Sequence, residues 1–248
     1  KRLERWKEVV STFLRSLGRR PDSCKREVRF IVEGWYNAQY SLNSQVLVGG
    51  GETMPFFCGQ QLLVSGMFVG SVLPAEAAVG HQAVSRHTDA AHRVAVALAR
   101  EGYSGVIGVD ALVTTSGEFF PVIEINARFN FSTYFYCARR LVGHDKVAIA
   151  RWFELVLNES LSFLELLTVL GPRRYDPCSG EGYVVLTFGS VNANIEAGVG
   201  TPTLGRVFVL IAASNPDRAT QLSVEMDHRI GQYNAGQKRD CEGGKLRA

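Results

Sequence analysis

The stretch Val122-Ile123-Glu124-Ile125-Asn126-Ala127-Arg128-Phe129-Asn130, VIEINARFN, decides how the chain is read. Successive side chains of a strand alternate faces, so Ile123 and Ile125 share one face while Glu124 and Asn126 share the other, joined by Arg128 if the strand runs that far. One face is apolar, as in a buried strand, and the other carries a carboxylate, an amide and a guanidinium. The preceding run Gly108 to Thr114, GVDALVT, is a second apolar strand that carries one acid, Asp110, and Thr-Ser-Gly between the two is a turn signal. A two-residue Ser116-Gly117 turn would set Asp110 against Ile123. A three-residue loop, Ser116-Gly117-Glu118, sets Asp110 directly across from Glu124. Opposed like charges on a buried sheet persist only with something positive between them. A hard divalent cation suits two carboxylates and an amide oxygen, and Arg128 just beyond could clamp a phosphate. The plain alternative is a solvent-facing polar edge or a simple Arg128 ion pair.

Outward from this hairpin the chain has ordinary globular character. Of its 248 residues 46% are apolar and 21% charged, and 27 basic residues against 24 acidic ones leave a net charge of +3. The bases are scattered, so no nucleic-acid footprint stands out, and no apolar run has the length to span a membrane. The five cysteines (Cys24, Cys58, Cys137, Cys178, Cys241) form no CxxC pair, which argues against a disulfide framework or zinc knuckle and for a reducing cytoplasm. The five histidines show no ligand spacing, and His87 falls on the inner side of a predicted helix.

The first residues, KRLERWKEVVSTFLRSLGRR, form an amphipathic helix with Leu3, Trp6, Val10, Phe13, Leu14 and Leu17 in one stripe, and a start without methionine suggests a piece of something longer. Strands are predicted at Arg26 to Val32 and Tyr40 to Val48. Shorter ones follow at Met54 to Phe57, Gln61 to Val64 and Met67 to Val72, with Gly49-Gly50-Gly51 as a hairpin turn rather than a phosphate loop. Ala83 to Glu101 has helical spacing and stops at Gly102. Lys146 to Leu170 is rich in helix formers, GYVVLTFGS and RVFVLIAAS are strands, Asp217 to Arg229 is a short helix, and the polar tail from Asn234 is expected to fray.

GVDALVTTSGEFFPVIEINARFN resembles the metal-binding hairpin of the ATP-grasp superfamily, and IVEGWYNAQYSLNSQVLV resembles its hinge. The resemblance implies an α+β fold with an ATP-grasp-like antiparallel sheet and packed helices, a partial ATP-grasp domain over 1–145, and a small C-terminal α+β module over 146–248 made of helical and β-hairpin elements. It implies that Asp110, Glu124 and Asn126 hold Mg2+ on the phosphates of ATP and that Arg128 contacts phosphate or an acyl phosphate. Glu33 would read the ribose or adenine edge, with Val32, Gly34 and Trp35 lining the base. The implied activity is ATP-dependent ligation of a small-molecule carboxylate to an amine, in a cytoplasmic protein without nucleic-acid or membrane partners and with a homodimer allowed. The family's glycine-rich loop and phosphate-binding lysines lie upstream of the hinge glutamate, and no motif near Lys1, Lys7 or Lys25 marks an equivalent. The alternative is therefore a truncated, non-catalytic remnant that binds a nucleotide or a partner.

Overall fold

The computed structural model describes residues 34–200 and 202–244, apart from the side chains of 239–244. The predicted N-terminal helix and the strand at Arg26 to Val32 lie outside the described residues. The contacts divide the chain into Lys1–Tyr36 and Asn37–Ala248. The second unit is one sheet with helices packed on it.

Its elements in order are β1 (Ala38–Gly49), β2 (Glu52–Val64), β3 (Met67–Leu73), α1 (Glu76–Val79), α2 (His81–Arg100), β4 (Gly105–Thr114), β5 (Phe119–Asn126), α3 (Phe131–Ala138), β6 (Val147–Leu157), α4 (Phe163–Leu170), β7 (Gly182–Thr187), α5 (Ala193–Glu196), β8 (Thr203–Ala213) and α6 (Pro216–Gly244). The eight strands run β5-β4-β1-β2-β3-β6-β8-β7, and every neighbouring pair is antiparallel. The fold is α+β. Gly50 and Gly51 form the two-residue turn between β1 and β2, both with positive φ, as hairpin turns of this length require.

The helix expected from Ala83 is α2. Its buried Val84, His87, Ala91 and Ala95 recur at helical spacing, and Gly102 with φ 85° ends it. This face packs on Val46, Val48, Ile107 and Val109, and further along on Leu42 and Ala111. The even-numbered residues of β1 and the odd-numbered residues of β4 are therefore committed to α2. Ser41, Asn43 and Gln45 of β1, with Gly108 and Asp110 of β4, are left on the opposite face.

Three expectations are corrected. Val147–Leu157, inside the segment read as helix, is strand β6. It is covered on both faces: Ile149, Phe153, Leu155 and Leu157 pack with Leu166 and Leu170 of α4 and Leu222, Met226 and Ile230 of α6, whereas Ala148 and Ala150 pack with Phe135 of α3. A strand buried on both sides reads as an unbroken apolar run and loses its period-two signature. The predicted segments at Met54 and Gln61 are one strand, β2. Next to the expected boundary at 145/146, β6 pairs with β3. Residues 234–244 of the tail expected to fray belong to α6, and Asn234 explains why: its Oδ1 accepts from the Val156 amide at 2.8 Å while its Nδ2 donates to the Glu154 carbonyl at 2.9 Å. One side chain thus satisfies two backbone groups of β6.

Asn234→Ala is expected to cost about 1–3 kcal/mol, the range for leaving part-buried backbone groups unpaired, in a urea titration with unchanged m-value. An effect within about 0.5 kcal/mol, as for an ordinary surface change, would return the tail to a frayed role.

Candidate active site

The cleft opens on the sheet face opposite α2. Two rows of paired residues cross β5, β4 and β1 there: Glu124, Asp110 and Asn43, then Asn126, Gly108 and Gln45. Asp110 faces Glu124, as expected from the sequence, but by a different route. The loop is Thr115-Ser116-Gly117, closed by Thr114 N–H to the Glu118 carbonyl at 2.9 Å and by Gly117, whose φ is 84°. A bulge then sets Pro121, Val122 and Ile123 of β5 against Ala111 alone, between the pairs Asp110–Glu124 and Leu112–Phe120. Without it Asp110 would face Val122.

Proline has no N–H for the ladder and is tolerated at such a bulge on an edge strand. The freed Pro121 carbonyl lies 3.1 Å from Nδ1 of His87, whose Nε2 lies 3.1 Å from the Val109 carbonyl. Burial pulls the His87 pKa down to about 4, against the two carbonyl contacts, so the ring is neutral at pH 7; its single N–H donates to one of the two carbonyls, and the buried ring packs α2 against the hairpin as a structural histidine. The edge position also corrects the view of β5 as a buried strand. Val122, Ile123 and Ile125 are exposed, and of the two acids only Asp110 is buried.

Asp110 Oδ1 accepts from Nδ2 of Asn43 and from Nε2 of Gln61, the latter at 3.1 Å. The amide chain continues inward. Gln45 Nε2 donates to Asn43 Oδ1 and, at 3.1 Å, to Asn130 Oδ1, while Gln45 Oε1 accepts from the Thr133 hydroxyl. Asn130 caps α3 by accepting from the Thr133 amide at 3.2 Å, so the network ties the acid to the start of that helix. Asn43 and Gln45 are fully buried with both ends of each amide used, which makes the network rigid. Gly108 makes room for it: a Cβ there would collide with the Asn130 amide and stand 2.7 Å from Gln45 Nε2.

Burial pushes the Asp110 carboxyl up to about 6; the Asn43 donor opposes this and the adjacent Glu124 carboxyl adds to it. Among the described residues neither acid has an ion-pair partner. Arg128 lies past the end of β5 and donates to Asn126 Oδ1 at 2.9 Å and to the Phe129 carbonyl at 3.3 Å, so it turns to the amide and not to the acids. The four predicted residues Asp110, Glu124, Asn126 and Arg128 line one cleft of about 600 Å³. Val32 and Glu33 lie outside the described residues, and Gly34 and Trp35 belong to the other unit. Sequence reasoning missed Asn43, Gln61 and, on the far wall, Trp152, Arg206 and Phe208; the alternation of Ser41, Asn43 and Gln45 in a predicted strand was the one available signal.

The donors fit magnesium: two carboxylates and an amide oxygen, all hard, on a pair without an ion-pair partner among the described residues. Asn126 Oδ1 keeps a second lone pair beside its bond to Arg128. Among the described residues no cluster of three or more His, Cys, Asp or Glu could hold a metal by itself, so water and phosphate oxygens would complete the shell.

The fold matches solved structures of N5-carboxyaminoimidazole ribonucleotide synthetases. The ADP complex of purK aligns with TM-score 0.53 and 15% identity over 81% of this chain and 51% of that one. The synthetase of Thermus thermophilus aligns with TM-score 0.53 and 14% identity over 80% and 52%. At this identity the likeness is one of fold. In sequence it is 31% identical over 108 residues to the butirosin acyl-carrier protein–L-glutamate ligase of Niallia circulans, 43% of this chain and 25% of that protein. The family profile described as PGM1 C-terminal domain matches residues 174–225. The chain thus spans about half the length of these solved structures and a quarter of the curated relative. Among the described residues no helix is long and apolar enough to cross a membrane.

Because the folded-state pKa of Asp110 is raised, its contribution to stability is complete below its ordinary value of 3.8 and is lost as pH climbs through about 6. Without divalent cation, Asp110→Asn is expected to be more stable than the parent chain at pH 7 and to lose that advantage at low pH, as read by chemical denaturation. A constant difference across this range would contradict the buried, unneutralised acid. Gly108→Ala is expected to cost about 1–3 kcal/mol in the same assay, as overpacking does; a neutral effect would mean the amide network is slack.

Proposed function

We propose that this chain carries the nucleotide-phosphate and metal part of an ATP-dependent ligase that joins a small-molecule carboxylate to an amine. The observation that carries the reading is the facing pair Asp110 and Glu124, held by a rigid amide network in an open cleft and without an ion-pair partner among the described residues. The fold and the names of the relatives, a ligase and two synthetases, support the same class.

In this reading Asp110, Glu124 and Asn126 would hold magnesium, and when bound it would supply charge neutralisation on the phosphates of ATP. Arg128, the catalytic arginine of the site, already reaches into the cleft beside Asn126 and would donate to the transferring phosphoryl group. A substrate carboxylate attacks the γ-phosphorus, the bond to the bridging oxygen breaks and ADP leaves. The amine then attacks the acyl carbon, and phosphate departs with its electron pair. Such chemistry rests on positioning and charge more than on a protein nucleophile, in keeping with a site built of amides, acids and arginines. Val32, Glu33, Gly34 and Trp35 would bind the base and ribose. A cytoplasmic setting, with homodimerisation allowed, belongs to the same proposal.

Millimolar Mg-ATP is expected to raise the melting temperature of this chain, and ADP alone with EDTA is not. Glu124→Gln is expected to abolish most of that shift and, where the chain stands in its full-length context, to slow ADP release by about 100-fold or more, the scale for losing a phosphate-neutralising group. An unchanged shift and turnover in this variant would sink the metal assignment.

A further inference from the structure

The cleft changes character away from the acids. Phe68 of β3, Trp152 of β6 and Phe208 of β8 lie at one level across three neighbouring strands: Trp152 pairs with Phe208 in register, and its indole N–H donates to the Phe68 carbonyl at 3.3 Å. Phe131, at the start of α3, closes the row by stacking on Phe68 with centroids 6.1 Å apart and on Phe208 at 5.4 Å. Phe131 is nevertheless 51% exposed, and Met67 beside it 63%. An apolar wall open to water inside a cleft is a surface that a ligand covers at a gain.

This wall carries one cation of its own. Arg206 stands two residues before Phe208 on the same face of β8, and its guanidinium lies 4.4 Å over the Trp152 ring. It uses one nitrogen on Glu154, at 3.3 Å across an exposed contact, which is a weak tie. Held over an indole and spending one nitrogen on a partner among the described residues, the guanidinium offers its other donors to the two oxygens of a carboxylate. The triphosphate has its place at the acids, where a cation is required. The aromatic wall offers the complement of something different, an apolar body with an anionic head.

We propose that the aromatic end of the cleft is the subsite of the acid to be activated, that it selects carboxylic acids with an apolar or aromatic body, and that Arg206 and Phe131 determine this specificity. The assignment of the acid as the reacting substrate rests on the ligase reading above. Arg206 takes the carboxylate on entry, and the body packs on Phe131 and Phe208.

The test uses this chain with 3-phenylpropionate and acetate as probes, titrated by ligand-observed NMR, and measures Mg-ATP affinity separately by calorimetry. Phenylpropionate is expected to bind at least about tenfold more tightly than acetate, the gain from burying a phenyl group. Arg206→Gln is expected to weaken both acids by about tenfold, whereas Phe131→Ser is expected to weaken phenylpropionate alone. Both residues are exposed, so folding is preserved, and Mg-ATP affinity is expected to stay unchanged in each variant. Equal affinity for the two acids, binding of neither, or an aromatic preference that survives Phe131→Ser would overturn the subsite. If phenylpropionate binds as expected while Mg-ATP fails to bind the parent chain, the acid-binding subsite stands and the ligase reading falls.

Discussion

Two carboxyl groups face one another on adjacent strands, and much of this half of the sheet is arranged so that they can. Asp110 is buried, and its acidity falls because water is removed from it and Glu124 stands opposite. Among the described residues the donors to Asp110 are neutral, Asn43 and Gln61, with no lysine or arginine. Neutral donors fix the position of the acid without cancelling its charge. On the proposed reading, that suits a site that takes up a metal with its nucleotide and releases it again.

Holding such a pair imposes costs at a distance. The bulge at Pro121 sets the register, and His87 secures it from the other face of the sheet by reaching two carbonyls. Gly108 gives up a side chain so that three amides can meet. The cap of α3 is part of the same network, so the loop that carries Arg128 and Phe129 runs between two anchored points, Asn126 and Asn130. The far wall is built by different strands, β3, β6 and β8, whose cores lie on α4 and α6. On the proposed reading, catalytic charge and substrate shape fall to separate parts of one sheet.

The facing acids were legible because a period of two survives in the sequence of β4 and β5, and because a magnesium site uses few residues of restricted type. The loop that aligns them was not, since a shorter register plus a bulge gives the same pairing and nothing local distinguishes the two until the Pro121 carbonyl is seen to bond His87. β6 was hidden by its burial on both faces, and the C-terminal part of α6 by its polar composition, which gives no sign that Asn234 bonds two backbone groups of β6. Arg206 and Trp152 were invisible for a further reason. They join the cleft only through sheet pairings between residues far apart in sequence, and each alone looks like an ordinary surface arginine or core aromatic.

The claim that a cation belongs between Asp110 and Glu124 is tested most directly with manganese as a paramagnetic substitute, added at substoichiometric levels with ATP while amide resonances are followed by NMR. The account expects selective broadening at Val109 to Ala111 and Ile123 to Asn126, with little effect on β7, which does not line the cleft. Broadening centred elsewhere, or none at these two strands, would contradict it.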